Sequence, residues 1–265
     1  MSAIPRSYLF VPGNRPERFA RAAACGADAV IVDLEDAVPP ADKDHARTQV
    51  AAALDPSMPV VVRINAEDTA WFESDLALCR HAGVAAIMLP KAESIEGLER
   101  VAHVGLPVLP LIETACGMAA VAALAQVKGV ARLAFGSIDF QFDLGIVGDD
   151  QELLYFRSML VQASRVAGLA PPIDGVTVAL DDEAQLIADT VRARRLGFGA
   201  KLCIHPRQIA QVNAGFKPTA DEVTWATRVL AAASQANGAA VALDGKMVDR
   251  PVILKAQRIV DEAAL

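Results

Sequence analysis

Eight short apolar runs, separated by longer stretches of helical pattern, narrow the possible folds of this chain more than any other feature. The runs span residues 8–11, 29–33, 60–64, 86–89, 108–112, 133–135, 175–178 and 200–204. They are rich in Val, Ile and Leu without clean alternation, as strands buried on both faces are. The stretches between them read as helices: 16–25 with Asn14 as candidate cap, 69–82, 94–103 capped by Ser94, 114–127, 150–167 and 181–196. Several of these end at or just before a glycine, where a helix stops most easily. The alternation predicts repeated βα units and a parallel sheet, and a closed α/β (β/α)8 TIM barrel accounts for all eight strands. An open doubly wound sheet is the alternative; it usually has fewer strands, and no G-x-G-x-x-G follows the first run.

The pattern changes after residue 218. Residues 219–237 read as a helix, 241–248 hold an Asp244-Gly245 pair between short apolar flanks, and a last helix is expected from Pro251 onward. An Asp-Gly pair in that setting signals a hairpin. The expected organisation is a barrel over 1–218 and a helix–hairpin–helix appendage over 219–265.

Composition excludes several classes of function. Apolar residues make up 53% of the 265, mostly Ala and Val, which suits close helix-on-sheet packing. The formal charge of −7 argues against a nucleic-acid footprint. Cys25, Cys79, Cys116 and Cys203 form no C-x-x-C pair, which makes a zinc cluster improbable. Their apolar surroundings predict buried, reduced thiols and a cytoplasmic setting. The first residues lack an apolar signal core, and no run reaches the length of a membrane span.

In a barrel, chemistry sits where the strands end, and here nearly every run delivers a polar group: Asn14 and Arg15, then Asp33, Glu35 and Asp36, then Arg63 and Asn65, Lys91, Glu113, Ser137 and Asp139, and His205. Glu113 and Asp139 form the sharpest pair, because adjacent strands would bring two carboxylates together, and these repel unless a cation or proton joins them. Oxygen ligands without His or Cys suit Mg2+. The competing reading makes each the cap of the following helix, with Thr114 another plausible cap. Arg63, ending a Val-Val-Val strand, offers a fork for a substrate carboxylate or an internal pair with Asp33, Glu35 or Asp36. Lys91 and Lys201 are the candidates for a lysine-imine mechanism, a less favoured route. His205 reads as structural.

The segments RSYLFVPGNRPERF, DAVIVDLEDAV, VVVRIN, IMLPKAES, LPLIET, FGSIDF, KLCIHPRQI and GKMVDRP occur in that order. Together they resemble the citrate lyase β-subunit-like branch of the HpcH/HpaI aldolase family, which includes malyl-CoA and citramalyl-CoA lyases. The resemblance covers essentially the whole chain. It implies a barrel of the phosphoenolpyruvate/pyruvate-binding type, usually in homotrimers. It implies Mg2+ on Glu113 and Asp139, an oxo acid held by Arg63, and coenzyme A near Asn14 and Arg15. In related enzymes an aspartate from the C-terminal segment of an adjacent subunit acts on the acetyl group; GKMVDRP offers Asp249, which also reads as a cap ahead of Pro251.

The expected activity is Mg2+-dependent cleavage of a citryl, malyl or citramalyl thioester to an acetyl thioester and a 2-oxo acid such as oxaloacetate, with Arg63, Glu113, Asp139, Asp249 and Asp36 as the catalytic set. Alternatives are an aldolase on free oxo acids, a synthase or thioesterase, and a subunit that needs partner chains.

Overall fold

The computed structural model describes residues 4–235 and 241–264. Eight parallel strands close into a barrel in sequence order: β1 (Ser7–Pro12), β2 (Ala29–Asp33), β3 (Val60–Arg63), β4 (Val84–Leu89), β5 (Val108–Ile112), β6 (Ala134–Phe135), β7 (Ile173–Asp174) and β8 (Ala200–Cys203). Between them run α1 (Phe19–Ala24), α2 (Lys43–Ala53), α3 (Phe72–Leu78), α4 (Ile95–Ala102), α5 (Ala115–Leu124), α6 (Ser137–Leu144), α7 (Leu154–Val166) and α8 (Glu183–Leu196), and α9 (Ile209–Gly215) follows β8. The expected barrel is therefore found.

Details differ from expectation. The seventh strand is Ile173–Asp174, and residues 175–178 form the loop beyond it. Helices α2, α6 and α9 were not anticipated. The expected helix 69–82 shrinks to α3, because Thr69 to Trp71 form a turn in which Thr69 bonds the Ala66 carbonyl. Asn14 caps nothing; a 3-10 turn at Pro16–Arg18 precedes α1. Ser94 and Thr114 do cap α4 and α5, accepting from the N–H of Gly97 and Gly117.

Side chains alternate between the barrel interior and the surrounding helices with a period of two. Tyr8, Ile31, Val61, Met88, Leu109, Leu111, Ala134, Ile173, Ala200 and Leu202 belong to one interior cluster. Two residues further along the same strands stand Phe10, Asp33, Arg63, Glu113, Gly136, Gly175 and Ile204. Parity thus carries the polar groups onto the top of an apolar plug. The register fixes their neighbours: Asp33 pairs across to Arg63, and Pro12 to Asp33.

Residues Ile4–Asn213 form one compact unit and those from Ala214 onward another. In the second, α10 (Ala220–Gln235) and α11 (Arg250–Ala263) pack together with the antiparallel pair β9 (Val241–Leu243) and β10 (Lys246–Val248). Ala226, Val229, Val248, Ala256 and Ile259 form its core. Asp244 and Gly245 make the turn, both at positive φ as a type I′ hairpin requires. Residues 236 and 237, expected to end the first of these helices, lie outside the described residues.

Candidate active site

A cavity of about 420 Å3 opens at the C-terminal end of the barrel. Asp33, Asp36, Arg63, Glu113, Ser137 and Asp139 line it together with Phe10, Leu111, Phe135, Val176 and Leu202.

Glu113 follows β5 at the interior parity and is 2% exposed. Thr114 takes the capping role on α5, which leaves the Glu113 carboxylate free for the cavity. Its Oε1 accepts the backbone N–H of Lys91 at 2.8 Å. Lys91 reaches that position only with φ of 46°, a conformation that costs a non-glycine residue free energy and that gathers at functional sites. On the other side lies Gly136, where an added Cβ would stand 2.5 Å from both Cβ and Oε2 of Glu113. Burial, with Glu35 and Asp139 nearby, pushes the Glu113 carboxyl up to about 8; the Lys91 N–H and Arg63 pull the other way without cancelling it.

Asp139 stands in the first turn of α6 and is exposed. That helix begins at Gly136 without a side-chain cap, so N–H groups of its first turn face the cavity. The Ser137 hydroxyl, 1% exposed, has no hydrogen-bond partner. Gly175 leaves room for it, since a Cβ there would lie 2.2 Å from its Oγ.

Arg63 is held rather than free. Its Nε and Nη2 donate to the two oxygens of Asp33 at 2.7 and 2.6 Å. Its Nη1 lies 3.0 Å from Glu35 Oε2, a charge contact without hydrogen-bond alignment, and 3.7 Å from Asp36. The guanidinium rests over the Phe10 ring at 4.8 Å. Burial opposes its charge, but Asp33, Glu35 and Glu113 outweigh that and keep it protonated above its ordinary range. Asp33 also accepts the N–H groups of Glu35 and Ala37, so one carboxylate fixes both the arginine and the loop after β2. Lys43, buried beneath, donates to the carbonyls of Leu34 and Glu35 at 2.9 Å each. Lys91 Nζ meets Glu35 at 2.5 Å.

Other candidates fall elsewhere. Lys201 has the opposite parity; buried, it donates to the Gly175 carbonyl and does not line the cavity. Nor do Asn14 and Arg15, in the loop after β1, belong to the lining; Arg15 is exposed beside Glu17. Asn65 turns to Asp75 with both backbone and side-chain N–H. His205 caps a 3-10 turn in a reciprocal box with Gln208. Asp249 is exposed and accepts the N–H of Val252 as N-cap of α11. Of the four free cysteines, Cys79 and Cys203 are buried, whereas Cys116 is exposed and Cys25 half-buried, contrary to expectation. Sequence reasoning named Lys91 and Ser137 as strand-end groups but missed these roles, and it missed Gly136; a lysine two residues past the fourth run and the Gly-Ser pair after the sixth were the signals.

Among the described residues no group of three His, Cys, Asp or Glu side chains could enclose a metal. Two carboxylates on an open cavity, one of them desolvated without full neutralisation, still fit a hard divalent cation that completes its shell with water and ligand oxygens.

The model of the HpcH/HpaI aldolase/citrate lyase family matches residues 6–206. The chain belongs to that family. Among family relatives, the citrate lyase subunit beta of Leuconostoc mesenteroides subsp. cremoris is 36% identical over 97% of this chain and 92% of its own length. A (3S)-malyl-CoA thioesterase of Cereibacter sphaeroides is 34% identical over 97% and 94%. The crystal structure of Mycobacterium tuberculosis protein CitE in complex with magnesium, acetoacetate and coenzyme A matches with TM-score 0.90 and 36% identity, covering 100% of both chains.

Proposed function

We propose that this protein is a Mg2+-dependent carbon–carbon lyase. It cleaves a 3-hydroxyacyl thioester carrying a carboxylate beside the hydroxyl, giving an acetyl thioester and a 2-oxo acid. The observation that carries this assignment is the meeting of Glu113 and Asp139 in one cavity, with Glu113 buried and short of positive charge. The relatives bound to magnesium and coenzyme A add weight.

Glu113 and Asp139 would hold Mg2+, which lowers the hydroxyl pKa and polarises the nascent carbonyl. Ser137 and the open end of α6 receive the carboxylate of the substrate. The Arg63 Nη1 edge, fixed by Asp33, faces the oxygen that becomes the carbonyl. Asp36, exposed at the cavity edge, takes the hydroxyl proton. As that proton leaves, the electron pair of the breaking C–C bond passes to the thioester enolate. Asp249, supplied by a neighbouring copy, returns a proton to that carbon. Asn14 and Arg15, beside the mouth-lining Pro12, are assigned to the coenzyme A carrier. The barrel over 1–218, the appendage over 219–265, a homotrimer and a cytoplasmic setting complete the assignment; among the described residues no helix is long and apolar enough to cross a membrane.

Glu113→Gln and Asp139→Asn should each lower Mg2+-dependent turnover by at least ~1000-fold, the scale of several kcal/mol in charge stabilisation. Circular dichroism should show the barrel intact in both. Full activity in EDTA would sink the mechanism. The malyl-CoA thioesterase relative favours a second reading, hydrolysis. Product analysis separates the two: a lyase releases an oxo acid and leaves the thioester bond whole, whereas a hydrolase releases free thiol.

A further inference from the structure

Resting on the assignment of Glu113 and Asp139 to Mg2+, we propose that Asp143 is a positioning residue for that pair. Its carboxylate ties α6 to the first turn of α5 and so fixes how far apart the two ligands stand.

One hydrogen bond joins the two segments that carry the ligands. Asp143 Oδ2 accepts the backbone N–H of Ala115 at 2.7 Å. Ala115 lies two residues past Glu113. Asp143 lies one turn past Asp139, on the same side of α6. The bond therefore bridges the chain close to each ligand. Its two ends are unequally fixed. Thr114 caps the start of α5, and a Cβ on Gly117 would stand 2.6 Å from the Ala92 carbonyl oxygen, so this turn is pressed against the loop after β4.

Helix α6 is held more lightly. It has 8 residues, starts without a side-chain cap, and buries Ser137 and Phe140. A helix that short takes its orientation from tertiary contacts rather than from its own hydrogen bonds. Phe140 grips it from the core, with ring contacts to Phe135 and Phe156. The chain enters it at Gly136, whose N–H meets the Ile112 carbonyl at 3.0 Å. Neither contact lies on the side that carries Asp139; Asp143 supplies the hold there. Without a cation Glu113 and Asp139 repel each other, and with one both must reach a single point. A tether to the rigid start of α5 keeps the spacing that the cation needs. The competing role is a plain cap: the Ala115 N–H has no partner within α5, and an acid suits that end of a helix.

Calorimetric titration of the purified full chain with Mg2+ alone, beside thermal melting without metal, separates the two. Asp143→Ala should weaken Mg2+ binding by about tenfold or more, the scale on which residues that orient metal ligands act. Asp143→Asn keeps an acceptor oxygen and should recover most of that affinity. Ala115→Pro removes the donor instead. The position accepts proline: it is exposed, it opens α5, and Thr114 before it is already extended at φ −134° and ψ 159°. It should weaken Mg2+ binding by the same factor as Asp143→Ala, and combining the two should add no further loss. Unchanged Mg2+ affinity in either Asp143→Ala or Ala115→Pro, with only the melting temperature lowered, reduces Asp143 to a cap and overturns the inference. Asp143→Asn as weak as Asp143→Ala overturns it as well, since charge and not the tether would then govern binding. If Asp143→Ala does not fold, Ala115→Pro and Asp143→Asn decide the matter. Absence of Mg2+ binding in the unaltered chain overturns the metal assignment itself, and the inference with it.

Discussion

Glu113 couples the site to pH. In the folded metal-free chain burial raises its carboxyl from 4.5 to about 8, so the fold retains a proton that the unfolded chain releases. The stability this group contributes is complete below pH 4.5 and is lost as pH climbs through 8. A cation needs the deprotonated form and competes with that proton. The rise in melting temperature on adding Mg2+ should therefore be small near pH 5.5, large near pH 8.5, and absent in Glu113→Gln. Thermal scans across that range check it; a gain independent of pH would contradict it. At this scale the sequence was informative where a charged residue followed an apolar run, as at Arg63, Glu113 and Asp139. It offered Lys91 as a strand-end amine and imine candidate, and missed that its contribution to Glu113 is a backbone N–H aimed by an unusual φ. It misjudged Cys116, because a helix embedded in apolar sequence still turns one side to water.

Elements were legible to the extent that their signals were local. Ser94 and Thr114 announced α4 and α5 by capping chemistry, and Asp244-Gly245 announced the hairpin. Helix α6 escaped because it starts at a glycine with no side-chain cap. Strands β6 and β7 are two residues each, too short for a run to mark their ends. At α11 the cap of Asp249 and its assigned chemistry can be separated. Asn caps a helix about as well as Asp, so Asp249→Asn should retain the melting temperature while turnover falls by about 100-fold, the scale of a lost general acid or base. Asp249→Ala should lose in addition ~1 kcal/mol of stability, the usual cost of a missing cap. An unchanged rate in Asp249→Asn would reduce the residue to a cap.

At the scale of the barrel, seven of the eight apolar runs coincide with strands and the seventh falls just beyond β7, enough to favour closure over an open sheet, because strands buried on both faces leave few other architectures. What they could not reveal is the polar bracing outside the strands. Arg157, 1% exposed, joins Asp174 of β7 to Asp149 in the loop after α6, and Arg192 of α8 meets the same Asp149. Removing one partner of a buried pair strands the other charge, so Arg157→Met should cost ~3–5 kcal/mol in urea unfolding. The double replacement Arg157→Met with Asp174→Leu should recover much of that loss. A single-variant cost below ~1 kcal/mol, the range of exposed pairs, would show the bracing to be dispensable.

The alternation that lifts Arg63 and Glu113 onto the apolar plug has a practical corollary for redesign. Pocket depth and thermal robustness are set by the same column of side chains, with Leu111 and Leu202 in both the plug and the cavity wall. Hollowing the site downward to admit a bulkier ketoacid would remove core, at ~2–5 kcal/mol for each leucine cut to alanine. Variation confined to the rim, at positions such as 176 and 204, can reshape selectivity while the scaffold beneath is left intact.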